Sequence, residues 1–179
     1  HASMRHAGPT RREIGVPTVF NFLGPIANPG RVRRQVVGVS DPAMGERVIE
    51  VLAANGAERA MVVFGHDGLD ELTLAGETYV AELKGGVVNE YTIDPARFGL
   101  ALCETRALHA PDKAASARII HSVLANEAGP ARDIVILNAG TALYASGVAN
   151  DITDGVSRAR EAIASGKARA KLDQFARFT

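Results

Sequence analysis

The adjacent carboxylates of Asp70 and Glu71, inside the stretch Gly65-His66-Asp67-Gly68-Leu69-Asp70-Glu71-Leu72-Thr73, are the residues whose type and spacing bear most directly on chemistry. They follow the apolar run at 60 to 64, which reads as a short buried strand. Open α/β sheets collect ligands beyond the carboxyl ends of such strands. Paired carboxylates suit a hard cation such as Mg²⁺, which takes one or two protein carboxylates, keeps several waters and completes its shell with phosphate oxygens. The competing reading is a solvated turn with acids near a helix start. The residues alone leave both open, and His66 in the same loop suits an acid, a ligand contact or a plain polar residue.

A second punctuated stretch, Asn21-Phe22-Leu23-Gly24-Pro25-Ile26-Ala27-Asn28-Pro29, lies upstream. Glycine there lets a backbone approach a ligand closely and proline fixes the approach; equally, Gly-Pro and Asn-Pro simply close two turns. Arg5, Arg11 and Arg12 precede it, and a guanidinium among them can grip a carboxylate or phosphate through two parallel hydrogen bonds, although most helical arginines are solvated. Arg31, Arg33 and Arg34 read as a solvated edge. His109 and His121 lack metal-type spacing, and no G-x-G-x-x-G or nucleophile elbow occurs. Ser165-Gly166-Lys167 lacks the upstream glycine of a phosphate-binding loop.

These residues need a scaffold, and 179 residues suffice for one domain with a full core. The composition, 46% hydrophobic and 22% charged, is that of a globular chain. Lysine plus arginine equals aspartate plus glutamate at 20 each, so no global field favours nucleic acid or an anionic membrane. The lone Cys103 rules out an internal disulfide, fits a reducing cytoplasm and reads as a small buried hydrophobe. No run approaches the ~20 apolar residues that span a bilayer, and a cytoplasmic location is expected.

The pattern predicts an α/β fold. Residues 3 to 14 have helical composition, broken by Gly8-Pro9 and closed by Gly15. Residues 16 to 29 form a rigid loop. A strand at 35 to 40, a helix capped by Asp41 with Pro42 at its first position and running to about Gly56, and a strand at 60 to 64 make a right-handed β-α-β unit. Residues 78 to 83 and 87 to 92, joined by Lys84-Gly85-Gly86, predict a β-hairpin. Residues 94 to 99 are a turn or short helical piece. Pro111-Asp112 opens an amphipathic helix with Ala115, Ile119, Val123 and Leu124 on one face. Asp133 leads into an expected strand at 134 to 137, residues 139 to 146 suit a helix packed on the sheet, and the helices from about Thr153 are expected to present solvated outer faces. The expected architecture is a mostly parallel central sheet flanked by helices, with a β-hairpin, in a single domain over residues 1–179.

Three segments in order, Arg11-Arg12-Glu13-Ile14-Gly15 through Gly24-Pro25 to Asn28-Pro29, the loop from Gly65 to Glu71, and Asn138-Ala139-Gly140-Thr141-Ala142-Leu143-Tyr144, closely resemble the anthranilate phosphoribosyltransferases. The resemblance runs over essentially the whole chain. It implies part of the large α/β domain of the nucleoside phosphorylase and phosphoribosyltransferase type (class II), and a Mg²⁺-dependent transfer of the phosphoribosyl group of phosphoribosyl pyrophosphate to the amine of anthranilate, a step of tryptophan biosynthesis. It implies that Arg11 grips the anthranilate carboxylate, that His1, Gly24 and Pro25 line the anthranilate channel, and that Asp70 and Glu71 hold Mg²⁺. No residue is implied as a covalent catalyst.

The family's glycine-rich pyrophosphate loop and amino-terminal helical domain have no counterpart here, so the chain reads as a piece of something longer and is expected to be inactive alone. The family's homodimer contact belongs to those missing helices. Two alternatives stand beside this: a pyrimidine nucleoside phosphorylase-like enzyme, and a non-catalytic nucleic-acid-binding relative, which needs an extended basic surface that the balanced charge does not supply.

Overall fold

A computed structural model of the chain describes residues 4–16 and 23–178. Two compact units are distinguished, His1–Val32 and Arg33–Thr179. In the first, helix α1 spans Met4–Ile14 and a four-residue turn, α2, spans Leu23–Ile26. Contrary to the expected break at Gly8-Pro9, α1 continues through Pro9 and forgoes the hydrogen bond that residue would otherwise donate.

The second unit is built on a four-stranded sheet in the order β1-β2-β3-β4, comprising Arg34–Gly38, Arg59–Gly65, Thr78–Lys84 and Val87–Ile93. Helix α3, Pro42–Ala54, crosses between β1 and β2, and those strands pair in parallel with Val37 opposite Val62. Its start is fixed locally: the Asp41 side chain accepts from the Ala43 amide at 2.9 Å, and Pro42 occupies the first turn, where its missing N–H costs nothing.

The other two pairings, β2 with β3 and β3 with β4, are antiparallel, so the sheet is mixed rather than mostly parallel. The β3–β4 return is the expected hairpin, closed at Gly85-Gly86 with φ of 59° and 80°, the two consecutive positive values that a two-residue turn demands; the departure is the antiparallel pairing of β2 with β3. A second correction concerns residues 134 to 137. They belong to helix α5, Pro130–Ser146, rather than to a strand. A four-residue apolar run does not separate a strand from a buried helix. Here Pro130 at the first turn and Gly147 after the last bracket 17 residues, and consecutive Ile136 and Leu137 are both buried, which a half-exposed strand does not allow.

Helix α4, Lys113–Leu124, is capped by Asp112 and buries Ala115 and Val123, with Ile119 half-buried. Helix α6, Ile152–Ala164, departs from the solvated face expected of it by burying Gly155, Val156, Ala159 and Ile163. It packs on α5 with backbone against backbone: a methyl added at Gly155 would lie 2.1 Å from the Gly140 carbonyl oxygen. Gly155→Ala is therefore expected to part the two helices at a cost of about 1–3 kcal/mol. A thermal melt should show Tm falling by roughly 2–4 °C per kcal/mol. The final helix α7, Lys167–Phe178, has no buried residue and fits the solvated reading.

At the end of the sheet away from Gly65, the buried Glu82 carboxylate accepts from the Tyr91 hydroxyl at 2.8 Å and the Tyr144 hydroxyl at 2.7 Å. The Lys84 ammonium donates to the Tyr144 hydroxyl at 3.2 Å, and the Arg59 guanidinium lies 4.7 Å from that ring's centre. The buried carboxylate is thus hydrogen-bonded by two hydroxyls, and Tyr144 in turn meets Lys84 and Arg59. Burial and the Glu82 carboxylate push the Tyr91 hydroxyl's pKa up.

Candidate functional site

Strand β2 delivers the chain at Gly65 into a closed loop. The Gly65 amide donates to the Leu69 carbonyl at 2.8 Å, and the Gly68 amide to the Gly65 carbonyl at 2.8 Å. Asp67 is occupied inside the loop: one carboxylate oxygen accepts from the Leu69 amide at 3.5 Å, and the other accepts from the Thr105 hydroxyl. Asp70 and Glu71 are left exposed, with no ion-pair partner among the described residues.

Below them the backbone is held firmly. Leu72, Thr73 and Leu74 are fully buried. The Thr73 amide donates to the Thr78 hydroxyl at 3.1 Å, and the Cys103 amide to the Leu74 carbonyl at 3.0 Å. Both backbone groups of Leu72 bond to the Asn138 side chain on α5, the amide at 2.9 Å and the carbonyl at 2.8 Å. From the other side, Gly38 at the end of β1 lies against the loop, where a methyl would sit 1.5 Å from the Asp70 carbonyl oxygen.

Among the described residues no cation pairs with these carboxylates. Partial burial of its carboxyl, then the neighbouring Asp70 and Asp67 carboxylates, push the Glu71 pKa upward. Among the described residues no three His, Cys, Asp or Glu side chains are grouped to hold a metal by themselves. Two carboxylates with open surroundings fit an ion that keeps waters and phosphate oxygens in its shell, as Mg²⁺ does, and not one needing a full protein cage.

Beside the loop lies an open cleft of about 570 Å³ lined by His66, Asp67, Ala75, Leu102, Cys103, Glu104 and Thr105. Burial first, then Asp133 and Asp67, push the Cys103 thiol's pKa up, so the residue is half-buried and unsuited to act as a thiolate. Arg33 and Arg34 are spent on Glu58, both at 3.0 Å, as a solvated edge.

Of the residues tied to anthranilate, Gly24 and Pro25 lie in α2 of the first unit, while His1 and the Arg11 side chain fall outside the described residues, as do Asn21 and Phe22. Sequence reading overlooked Gly38 and Asn138 as site residues. A glycine inside a strand pattern marks close backbone approach, and a lone asparagine in an apolar run marks a buried polar partner.

The profile of the glycosyl transferase family, a/b domain, matches residues 1–169. The chain belongs to this family. It is 50% identical over all of its 179 residues to an anthranilate phosphoribosyltransferase of Leptothrix cholodnii, covering 52% of that protein. The chain thus spans about half the length of the curated relatives it matches. Among solved members of this glycosyl transferase family, anthranilate phosphoribosyltransferase from Thermus thermophilus superposes with a TM-score of 0.91 at 38% identity, over 99% of this chain and 53% of that one. The enzyme from Saccharomyces cerevisiae, solved with PRPP and Mg and also with 4-fluoroanthranilate, gives 0.88 at 28% identity over 98% of this chain and 51% of its own.

Proposed function

We propose that this chain is the part of an anthranilate phosphoribosyltransferase that carries the metal-binding carboxylates and the anthranilate contacts. The reaction joins the anthranilate nitrogen to the ribosyl carbon of phosphoribosyl pyrophosphate as the bond from that carbon to pyrophosphate breaks, giving phosphoribosylanthranilate. The observation that carries the reading is the anchored loop presenting Asp70 and Glu71 with no ion-pair partner among the described residues, in a chain whose yeast relative was solved with PRPP and Mg.

In this reading Asp70 and Glu71 hold Mg²⁺, which when bound neutralises charge accumulating on the departing pyrophosphate. Arg11 takes the anthranilate carboxylate, and His1, Gly24 and Pro25 line its approach. The aromatic amine is itself the nucleophile, so the chain's own residues act by orientation and electrostatics, and no covalent intermediate is required. We place the reaction in the cytoplasm, a reading that rests on the lone thiol of Cys103 and a reducing compartment.

The test joins this chain in frame to the amino-terminal half of the Leptothrix cholodnii relative. That completed enzyme should convert anthranilate to phosphoribosylanthranilate only when phosphoribosyl pyrophosphate and Mg²⁺ are both present, and the isolated chain should give no turnover. Arg11→Ala should raise the anthranilate KM about tenfold or more, the scale of losing a hydrogen bond to a charged group, with a smaller change in kcat. A folded completed enzyme that ignores anthranilate but cleaves pyrimidine nucleosides with phosphate would overturn the reading in favour of a phosphorylase.

A further inference from the structure

We propose that Asn138 is a positioning residue for the metal loop, its side-chain amide fixing the peptide that joins Glu71 to Leu72. This rests on the reading of Asp70 and Glu71 as metal ligands. The Asn138 Oδ1 accepts from the Leu72 amide at 2.9 Å, and Nδ2 donates to the Leu72 carbonyl at 2.8 Å and to the Ile134 carbonyl at 3.1 Å. An N–H on one side and a carbonyl on the other admit only this orientation of the side-chain amide.

The Leu72 amide belongs to the same rigid peptide plane as the Glu71 carbonyl. Holding it sets the backbone angle from which the Glu71 side chain departs. The fully buried Leu72 side chain anchors the position of that peptide, and Asn138 anchors its rotation.

Few side chains do this. Leucine would leave both Leu72 groups buried and unpaired, aspartate would lose the donor, and glutamine is one methylene too long. Asparagine is also a mediocre helix former, so its place inside α5 is not explained by helix propensity. Satisfying the Leu72 backbone would by itself justify the residue structurally; what separates the two roles is metal affinity.

The experiment is a titration of the ¹⁵N-labelled full chain with Mn²⁺, read as paramagnetic broadening of the amides from 67 to 72. Groups that orient a metal ligand typically matter about 10–100-fold in affinity. Asn138→Ala should raise the Mn²⁺ midpoint by that factor, and an unchanged midpoint in the folded variant overturns the proposal. If that variant does not fold, Asn138→Asp, which keeps only the acceptor, should shift the midpoint in the same direction.

Wild-type protein supplies a further check that needs no variant. Coupling is reciprocal, so Mg²⁺ must slow hydrogen exchange at the Leu72 amide beyond its effect on the Val62 amide; equal effects overturn the proposal. Asp70→Asn with Glu71→Gln separates the two levels of argument. If broadening persists in that double variant, the metal reading fails and this inference with it. If broadening is abolished there yet Asn138→Ala titrates like wild type, only the role of Asn138 fails.

Discussion

Replacing Asp70 by Asn and Glu71 by Gln together is expected to lower Mg²⁺-dependent turnover of the completed enzyme by at least about 100-fold while leaving the fold intact. Removing one well-placed group that stabilises developing charge typically costs about 10²–10³ in kcat. Both residues are exposed and make no ion pair among the described residues, so no packing is lost with their charge. Unchanged turnover, assayed across a Mg²⁺ titration, would remove the metal role.

Glu71 adds a second signature. Its pKa is raised above the usual value near 4.5, so the native state favours the protonated form and the ionised carboxylate opposes folding. The benefit of protonation is fully present below the unfolded value and is lost as pH rises through the higher folded value. Glu71→Gln keeps a neutral side chain throughout. Its Tm should match wild type near about pH 3.5 and exceed it near about pH 7.5, with the gap closing on addition of Mg²⁺. A variant less stable than wild type at neutral pH would show that burial and the neighbouring carboxylates together do not disfavour the ionised Glu71 in the native state.

Gly38→Ala should be the most damaging single methyl added to the site. The new carbon would lie 1.5 Å from the Asp70 carbonyl oxygen and 2.4 Å from its carbonyl carbon, and both obstacles are backbone. Nor can the strand retreat, because the adjacent Val39 amide is bonded to the Val63 carbonyl at 3.0 Å. The loop must lift off β1, costing about 1–3 kcal/mol or more and moving the carboxylates with it. Urea unfolding and Mn²⁺ affinity should both fall. Wild-type stability and wild-type Mn²⁺ affinity in Gly38→Ala would mean that the Gly38 contact is not tight in solution.

What could be read from the sequence was chemistry that acts over a few residues. Asp41 before Pro42, Asp94 before Pro95 and Asp112 before α4 each cap as their types predict, and Gly85-Gly86 makes the hairpin. The loop after β2 was legible because glycines and adjacent acids punctuate an apolar strand. Illegible features depended on distant partners. Residues 134 to 137 carry the same apolar side chains as a strand, and only the burial of Ile134, Ile136 and Leu137 with Val135 exposed settles them as helix. The antiparallel pairing of β2 with β3, the burial of α6 and the contact between Gly38 and Asp70 all depend on partners beyond the reach of local pattern. Recognition of the family came from motifs in series, whereas the roles of Gly38 and Asn138 required coordinates.

Helix α5 touches both ends of the sheet: Asn138 meets the loop at one, and six residues on, the Tyr144 hydroxyl meets Glu82 at the other. Turning the helix by one residue, about 100°, would break both attachments together. The carboxylate loop is therefore geared to the deepest part of the core and should open only when the core does, on the slowest and rarest timescale available to the protein. In the transferase proposed above, this loop would form a fixed wall of the site rather than a moving part.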